Sequence, residues 1–384
     1  MRRYELDKIL ATMLASTEGI SDLNFSVGRP LQVEAYGKLK KVDMPPLRGN
    51  LTSVQMEKLM MAIVGENERL LSDLIQKGSC DCSYSLPDET RFRVNIFRQR
   101  GNYAMVLRKL QSKIPSISDL GLPPIFNKMT DTKTGLILLT GATGSGKTTT
   151  LAAILNEINA KNEFHIITLE DPIEFVHPHK MGTFNQRELG QDFDTFPNGL
   201  RAALRQAPKV ILVGEMRDRE TVEIALSAAE TGHLVMSTLH TIDAGQTINR
   251  IVGMFEQSEE VQIRARLAET LRFVVSQRLA PKVGGGRVLL AEIMGENLRT
   301  KECIIYGESD VRSYYEIIEA SSSFGWSSFD QWILNRYEEG VITEETAILY
   351  ASKKNRVTRT IDGYKATKLA ALPSGLSMKK ESQH

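Results

Sequence analysis

Three shortages in this chain of 384 residues each exclude a class of protein. Its only cysteines are Cys80, Cys82 and Cys303, which form neither a disulfide framework nor a C-x-x-C zinc pair. No apolar run approaches the ~18 residues that a membrane-spanning helix needs, and residues 1–8 lack the apolar core of a secretory signal. We therefore expect reduced thiols and a cytoplasmic protein that reaches a membrane only through a partner.

Net charge is also nearly absent. The chain carries 48 lysines and arginines against 47 aspartates and glutamates, which gives a formal charge of +1. Such a balance provides no overall attraction to nucleic acid, so we expect no nucleic-acid partner. The length allows one to three domains with a sizeable core.

What the chain does have is a complete phosphate-binding loop of the form G-x-x-x-x-G-K-[ST]. An apolar run that predicts a buried strand comes before it, and a run that predicts a helix follows, which is the context this motif requires. Glycines let the backbone N–H groups approach phosphate, Lys147 would neutralise phosphate charge, and Thr148 would hold Mg²⁺. The predicted ATP-binding residues are Gly141, Ala142, Thr143, Gly144, Ser145, Gly146, Lys147, Thr148 and Thr149.

The pattern of apolar residues predicts an α/β protein with two parts. Residues 1–112 combine helical and alternating segments, as in a small α+β domain, and residues 113–123 are rich in proline, glycine and serine, as in a linker. From residue 124 to 356 strands alternate with helices, which predicts a P-loop domain on a mostly parallel sheet. Its last part, from about residue 296, is predicted to be helical. Residues 357–384 are polar and poorly periodic, which predicts a flexible tail.

Two carboxylates follow predicted strands at positions suited to ATP hydrolysis. Glu215 lies at the end of the strand that begins with the apolar run Val210–Val213, where a Walker B carboxylate is expected, and would help Thr148 hold Mg²⁺. Glu170 ends the strand at 165–169 and would orient or deprotonate the attacking water. The residues alone leave open which of the two is the general base.

Histidines and arginines supply further candidates. His240 follows a fourth strand and would sense the γ-phosphate or couple subunits, whereas His233 precedes the same strand. Alternation places Arg91 and Arg93 on one face of a strand, which is either a solvated face or a pair of arginine fingers directed at a nucleotide.

Five motifs follow one another at residues 141–150, 168–177, 186–190, 212–218 and 229–241. In this order they resemble the secretion ATPase superfamily, and within it the PilT-like type IV pilus retraction ATPases. The resemblance covers roughly residues 5–352.

The resemblance implies a PAS-like N-terminal domain, a RecA-like ATPase domain and a homohexameric ring that uses ATP and Mg²⁺. It implies that the ring turns an inner-membrane pilus platform protein, similar to PilC, from the cytoplasmic face of the inner membrane. By the family's motifs, Glu170 lies in the Asp box, Glu215 in Walker B, and His233 and His240 in the His box. Arg91 and Arg93 match arginines that approach the nucleotide.

One segment departs from the family. Its retraction motif Ala-Ile-Arg-Asn-Leu-Ile-Arg-Glu is absent, and residues 299–308 stand in its place. An accessory PilU-like motor, working beside a paralogous retraction ATPase, therefore remains an alternative to the retraction motor itself.

Three other functions would each be expected to leave a different sequence pattern. Pilus assembly or type II secretion ATPases usually carry a tetracysteine zinc site and a longer N-terminal region, which this chain lacks. A RecA-like hexameric nucleic-acid motor would be expected to show a basic stripe with aromatic residues. A non-catalytic scaffold would be expected to have lost one of Lys147, Thr148, Glu170 or Glu215.

Overall fold

The computed structural model describes residues 1–45, 47–88, 90–110 and 113–370. The strands are β1 (Ile20–Ser26), β2 (Leu31–Ala35), β3 (Lys38–Val42), β4 (Ser79–Ser85), β5 (Arg91–Gln99), β6 (Asn102–Lys109), β7 (Gly135–Thr140), β8 (His165–Glu170), β9 (Thr183–Glu188), β10 (Val210–Val213), β11 (Leu234–Leu239), β12 (Leu271–Pro281) and β13 (Arg287–Gly295). The helices are α1 (Arg3–Ala15), α2 (Ser53–Val64), α3 (Glu68–Gln76), α4 (Ile125–Thr130), α5 (Lys147–Lys161), α6 (Phe196–Leu204), α7 (Arg219–Glu230), α8 (Ala244–Val252), α9 (Glu260–Thr270), α10 (Leu298–Tyr306), α11 (Tyr314–Glu319), α12 (Phe329–Glu338), α13 (Glu344–Tyr350) and α14 (Lys354–Ala370).

The chain divides into two compact units. One contains residues 1–116 together with 159–199, and the other contains residues 117–158 together with the chain from 200 onward. The α/β fold class predicted from the sequence, with a small N-terminal part, a P-loop part and C-terminal helices, is confirmed.

The first unit is built on an antiparallel sheet of strand order β3-β2-β1-β6-β5-β4. Along β5, Phe92, Val94 and Ile96 are fully buried, and the residues between them lie on the more exposed face. This alternation is what a sheet covered on one face requires. Helix α2 is capped by Thr52, whose hydroxyl accepts from the backbone N–H of Gln55 at 3.3 Å.

Residues 159–199 belong to this first unit through polar contacts. Arg69 Nε donates to the carbonyl of Gly190 at 3.1 Å, and Gln191 Nε2 donates to the hydroxyl of Ser83 at 3.0 Å. Within the segment, β8 and β9 pair in parallel, with Glu170 opposite Glu188.

The second unit contains strands in the order β13-β12-β7-β11-β10. Strands β12, β7, β11 and β10 are parallel, and β13 is antiparallel to β12. Every residue of β7, β10 and β11 is buried, as expected for continuous apolar strands inside a parallel sheet.

The predicted start of the flexible tail at residue 357 is wrong. Residues 354–370 form α14, because Val357 and Ile361 stand one turn apart and are fully buried where the helix contacts α12 and α13. The rest of the predicted tail, residues 371–384, lies outside the described residues. Of the helices that the structure describes, none combines the length and apolar character that a bilayer crossing requires.

Candidate active site

The phosphate loop joins the end of β7 to the start of α5. Gly141, Gly144 and Gly146 have φ values of 138°, 78° and 94°. Residues other than glycine rarely adopt this backbone conformation. At Gly141 an added Cβ would lie 2.4 Å from the carbonyl oxygen of Gln277 and 2.6 Å from Ser145 Oγ. Glycine is therefore required at this position both by backbone conformation and by space.

Lys147 is the first residue of α5 and is 7% exposed. Its Nζ donates to the carbonyl oxygens of Gly141 and Ala142 at 2.8 and 3.0 Å. The ammonium thus lies over the loop at the N-terminus of a helix, where backbone N–H groups and the helix dipole favour anions.

The residues of the loop fit a bound polyphosphate. Ser145 Oγ is buried and has no hydrogen-bond partner among the described residues, although a buried hydroxyl normally has one. Thr148 and Thr149, in the first turn of α5, are half-buried. An unused hydroxyl donor in a loop whose glycine backbone leaves no room for side chains is the environment that an anionic ligand would complete.

Gln277 is a residue of this region that the sequence analysis missed. It lies on β12, is 1% exposed, and its Nε2 donates to the hydroxyl of Thr150 at 2.9 Å. The contact ties the second turn of α5 to the neighbouring strand. No motif indicates this residue, because β12 interrupts its apolar run with Gln277 and Arg278.

Glu215 and His240 lie at the same edge of the sheet as the phosphate loop. Strands β7, β11 and β10 are parallel neighbours, and each leads at its carboxyl end into one of these residues or the loop. Glu215 Oε1 lies 3.4 Å from His240 Nε2, and Glu215 Oε2 lies 2.8 Å from the guanidinium of Arg217. The second unit thus brings Lys147, Glu215 and His240 to one edge.

Backbone carbonyls at the end of β10 are held by hydroxyls of β11. Ser237 Oγ donates to the carbonyl of Val213 at 2.7 Å, and Thr238 Oγ1 donates to that of Gly214 at 2.7 Å.

Burial of Glu215 raises its pKa, but Arg217 and His240 together outweigh burial and hold that pKa below its usual value. Glu215 is therefore an ionised carboxylate at neutral pH.

His233 does not join this group within one chain. Its Nδ1 lies 3.0 Å from the carbonyl of Ala228 at the end of α7, and its own carbonyl accepts from the backbone N–H of Gly135 at the start of β7. His233 therefore lies at the opposite end of β11 from His240, a strand length of about 20 Å away.

Glu170 lies in the first unit, in a buried and largely uncharged setting. Its Oε1 accepts from the Thr168 hydroxyl at 2.7 Å and from Gln186 Nε2 at 2.9 Å, and the residue is 8% exposed. Burial raises the pKa of Glu170 to about 7, and the two hydrogen bonds offset only part of that rise. A carboxyl with such a pKa exchanges a proton readily at neutral pH.

Arg91 is bound within its own unit. Its guanidinium donates to the carbonyl of Ile173 at 2.7 Å and to Glu188 Oε2 at 3.3 Å, and its side chain is 12% exposed. Arg93 lies on the same face of β5 and is exposed. Gln186 and Glu188 are the partners of Glu170 and Arg91 and were not predicted as such, although both lie in the motif at 186–190.

Comparisons with known proteins extend over nearly the whole chain. The family model described as type II/IV secretion system protein matches residues 75–317. The type IV pilus retraction ATPase PilT of Pseudomonas aeruginosa PAO1 is 40% identical over 343 residues, which cover 89% of this chain and 97% of PilT. The type IV pilus ATPase PilU of the same strain is 35% identical over 378 residues, which cover 97% of this chain and 96% of PilU.

A solved structure shows the same architecture. The crystal structure of the pilus retraction motor PilT with bound ADP is 39% identical, covers 92% of this chain and 98% of that chain, and gives a TM-score of 0.81. The likeness includes both the small N-terminal part and the P-loop part.

Proposed function

The chain belongs to the type II/IV secretion system family of ATPases, and on that premise we propose that it is a motor that hydrolyses ATP to power type IV pilus retraction. The observation that carries the proposal is the placement of the phosphate loop, Glu215 and His240 at one edge of a parallel sheet. Ligands of open α/β sheets bind at that edge.

Nucleotide binding would use the loop between β7 and α5. Backbone N–H groups of residues 141–146 and the ammonium of Lys147 would bind the phosphates, with Ser145 Oγ as a further donor. Thr148 and the ionised Glu215 would hold Mg²⁺, which neutralises phosphate charge when it is bound.

Hydrolysis would use Glu170 as the group that orients and deprotonates water, since its raised pKa matches that task. His240, hydrogen-bonded to Glu215, would sense the γ-phosphate. Thr149 would complete the phosphate-binding turn.

Arg91, Arg93 and His233 are assigned to contacts between subunits of a homohexameric ring. Arg93 is exposed and free to reach outward along its strand face, whereas Arg91 would first have to leave Glu188 and Ile173. His233 lies far from His240 in its own chain, so a role at a nucleotide would have to come through a neighbouring subunit. The ring would act on a PilC-like platform protein at the cytoplasmic face of the inner membrane.

The first test is the substitution Lys147→Ala in the full-length chain. Loss of the ammonium over the loop should lower ATP turnover by at least about 1000-fold, because phosphate charge in the transition state loses its main counter-charge. Lys161→Ala, on the last turn of the same helix, is the matched control and should hydrolyse ATP normally. Unchanged turnover by Lys147→Ala would refute the mechanism.

The cellular test is deletion of the gene with counts of surface pili and assays of twitching motility. Hyperpiliated, non-motile cells support retraction, and bald cells would show that the motor drives assembly. Complementation with Lys147→Ala should leave the deletion phenotype unchanged.

An accessory retraction motor is the second candidate. Two observations favour it: the match to PilU spans more of this chain than the match to PilT, and residues 299–308 replace the usual retraction motif. Expression of this chain alone, in cells that lack every paralogous retraction ATPase, separates the two. Restored retraction supports the principal motor, and restoration only beside a paralogue supports the accessory role.

A further inference from the structure

Glu292 is a buried carboxylate that the mechanism above does not use. It lies on β13 and is 5% exposed. In the sheet, Thr140 of β7 is paired with Ser276 of β12, which is paired in turn with Glu292. Glu292 therefore lies in the same row across three strands as the residue that precedes the phosphate loop.

A hydrogen bond ties Glu292 to the segment that carries His240. Its Oε1 accepts from the backbone N–H of Ala244 at 2.9 Å. Ala244 is the first residue of α8, and only residues 241–243 separate that helix from His240. The contact therefore fixes one end of the connection formed by residues 241–243, and His240 lies at the other end.

The connection itself is stiff. Asp243 Oδ1 accepts from the N–H of Gln246 at 2.7 Å and caps α8, and the hydroxyls of Thr241 and Thr247 lie 2.7 Å apart. A displacement of the start of α8 would thus be passed on to His240 rather than absorbed within the loop.

Burial makes an ionised carboxylate energetically unfavourable at position 292. Arg278, diagonal to Glu292 on the neighbouring strand, attracts it, whereas Asp243 and Asp330 repel it. Burial is the largest effect and raises the pKa of Glu292 to about 7. A purely structural position of this kind is filled as well or better by an apolar side chain, so the acceptor oxygen that binds the N–H of Ala244 is the feature that requires a polar side chain.

We propose that Glu292 is a positioning residue for ATP hydrolysis, which holds the start of α8 and thereby keeps His240 in hydrogen-bond reach of Glu215. The inference rests on the role given to His240 in the proposed function. It predicts an effect on the chemical step and not on nucleotide binding, because neither Ala244 nor Glu292 belongs to the phosphate loop.

The test compares Glu292→Leu with Glu292→Gln in the full-length protein. Leucine removes the acceptor, and kcat for ATP should fall about ten-fold or more while KM stays within about two-fold. Glutamine keeps an acceptor oxygen of nearly the same size and should restore kcat to within about three-fold of wild type. A kcat for Glu292→Leu within two-fold of wild type would overturn the inference.

A second variant removes the same hydrogen bond from its other side. Ala244→Pro deletes the donor at the first position of a helix, where proline is tolerated, and Asp243 already has the extended backbone that a residue before proline needs (φ −155°, ψ 173°). Its kcat should fall as in Glu292→Leu, and the double variant should be no worse than either single one. Fully additive losses would show that the two residues act separately and would overturn the inference.

Two controls make the result specific. Asp330→Asn perturbs another buried carboxylate of the same unit, which accepts from the backbone N–H groups of Ser352 and Lys353, so an equal fall in kcat there would reveal a general loss of structure. His240→Ala tests the premise. If it keeps full activity, the role of His240 fails; if it is inactive while Glu292→Leu is active, only the inference about Glu292 fails.

Discussion

Glu170 and Glu215 end strands in different units, and their surroundings act on them in opposite directions. Glu170 is buried and bonded to neutral groups of Thr168 and Gln186, and its pKa rises to about 7. Glu215 is less buried and lies beside Arg217 and His240, which hold its pKa below the usual value.

The contrast suggests a division of labour that the motifs alone left open. A carboxyl that gains and loses a proton near pH 7 suits general base catalysis, and one that stays ionised suits binding of a cation. We therefore assign the base to Glu170 and the cation-binding carboxylate to Glu215. Each assignment predicts a different response to removal of the charge.

The largest effect is expected for Glu215→Gln. The amide keeps the size of the side chain and its contact with His240 but loses the charge, so kcat should fall by about 1000-fold while ATP still binds. Single-turnover hydrolysis and binding of a fluorescent ATP analogue separate these two quantities. Glu223→Gln, an exposed glutamate on α7, is the matched control.

The binding measurement decides how Glu215 acts. Retained affinity with slow hydrolysis would mean that the cation held by Glu215 acts in the chemical step. Lost affinity in the presence of Mg²⁺, with affinity unchanged in its absence, would mean that the cation held by Glu215 acts mainly in nucleotide binding. A Glu215→Gln variant with wild-type turnover would show that Glu215 has no role in hydrolysis and would contradict the division of roles between Glu170 and Glu215.

A smaller effect with a distinctive pH dependence is expected for Glu170→Gln. In wild type kcat should fall about ten-fold per pH unit below pH 7, because the base becomes protonated. The kcat of the variant at pH 8 should be about 100-fold below that of wild type. Its pH profile should lack the acidic limb, which is the fall in kcat below pH 7. A variant that keeps the limb would show that another group is the base.

Glu174→Gln refines the same experiment. The charge of Glu174 contributes to the raised pKa of Glu170, so its removal should move the acidic limb to lower pH. Its kcat at high pH should equal that of wild type. A limb that moves to higher pH would contradict the electrostatic account.

The central strands could be predicted from the sequence because their burial leaves a continuous apolar run. The apolar run predicted at Val210–Val213 is β10, the strand predicted before His240 is β11, and the apolar run before the phosphate loop lies in β7. Strands β9 and β12 were missed, since polar residues such as Gln186 and Gln277 interrupt their patterns. Gln186 is a partner of Glu170, so in β9 a residue of the site itself interrupts the pattern of the strand that carries it.

The rest depended on contacts between residues far apart in the sequence. Nothing near Arg91 indicates that Glu188 will bind it, because 97 positions separate them. Helix α14 is polar apart from a few residues, and the burial of Val357 and Ile361 is decided by α12 and α13. Sequence patterns identify residues suited to a chemistry, whereas tertiary packing sets the pKa at which they perform it.

The smallest expected effect is on stability, where the two glutamates should respond with opposite sign. The folded pKa of Glu170, about 7, lies above the ordinary 4.5, so its contribution is fully present below pH 4.5 and is lost as pH rises through 7. Glu170→Gln should therefore stabilise the protein at pH 8, by about 3 kcal/mol, and change little at pH 4.5. The pKa of Glu215 is lowered, so its contribution is present above pH 4.5 and is lost at lower pH. Glu215→Gln should therefore lower the melting temperature at pH 8 and approach wild type in acid. Thermal unfolding of both variants at pH 5 and pH 8 measures the difference, and shifts of the same sign at pH 8 would mean that the two carboxylates do not occupy opposite electrostatic environments.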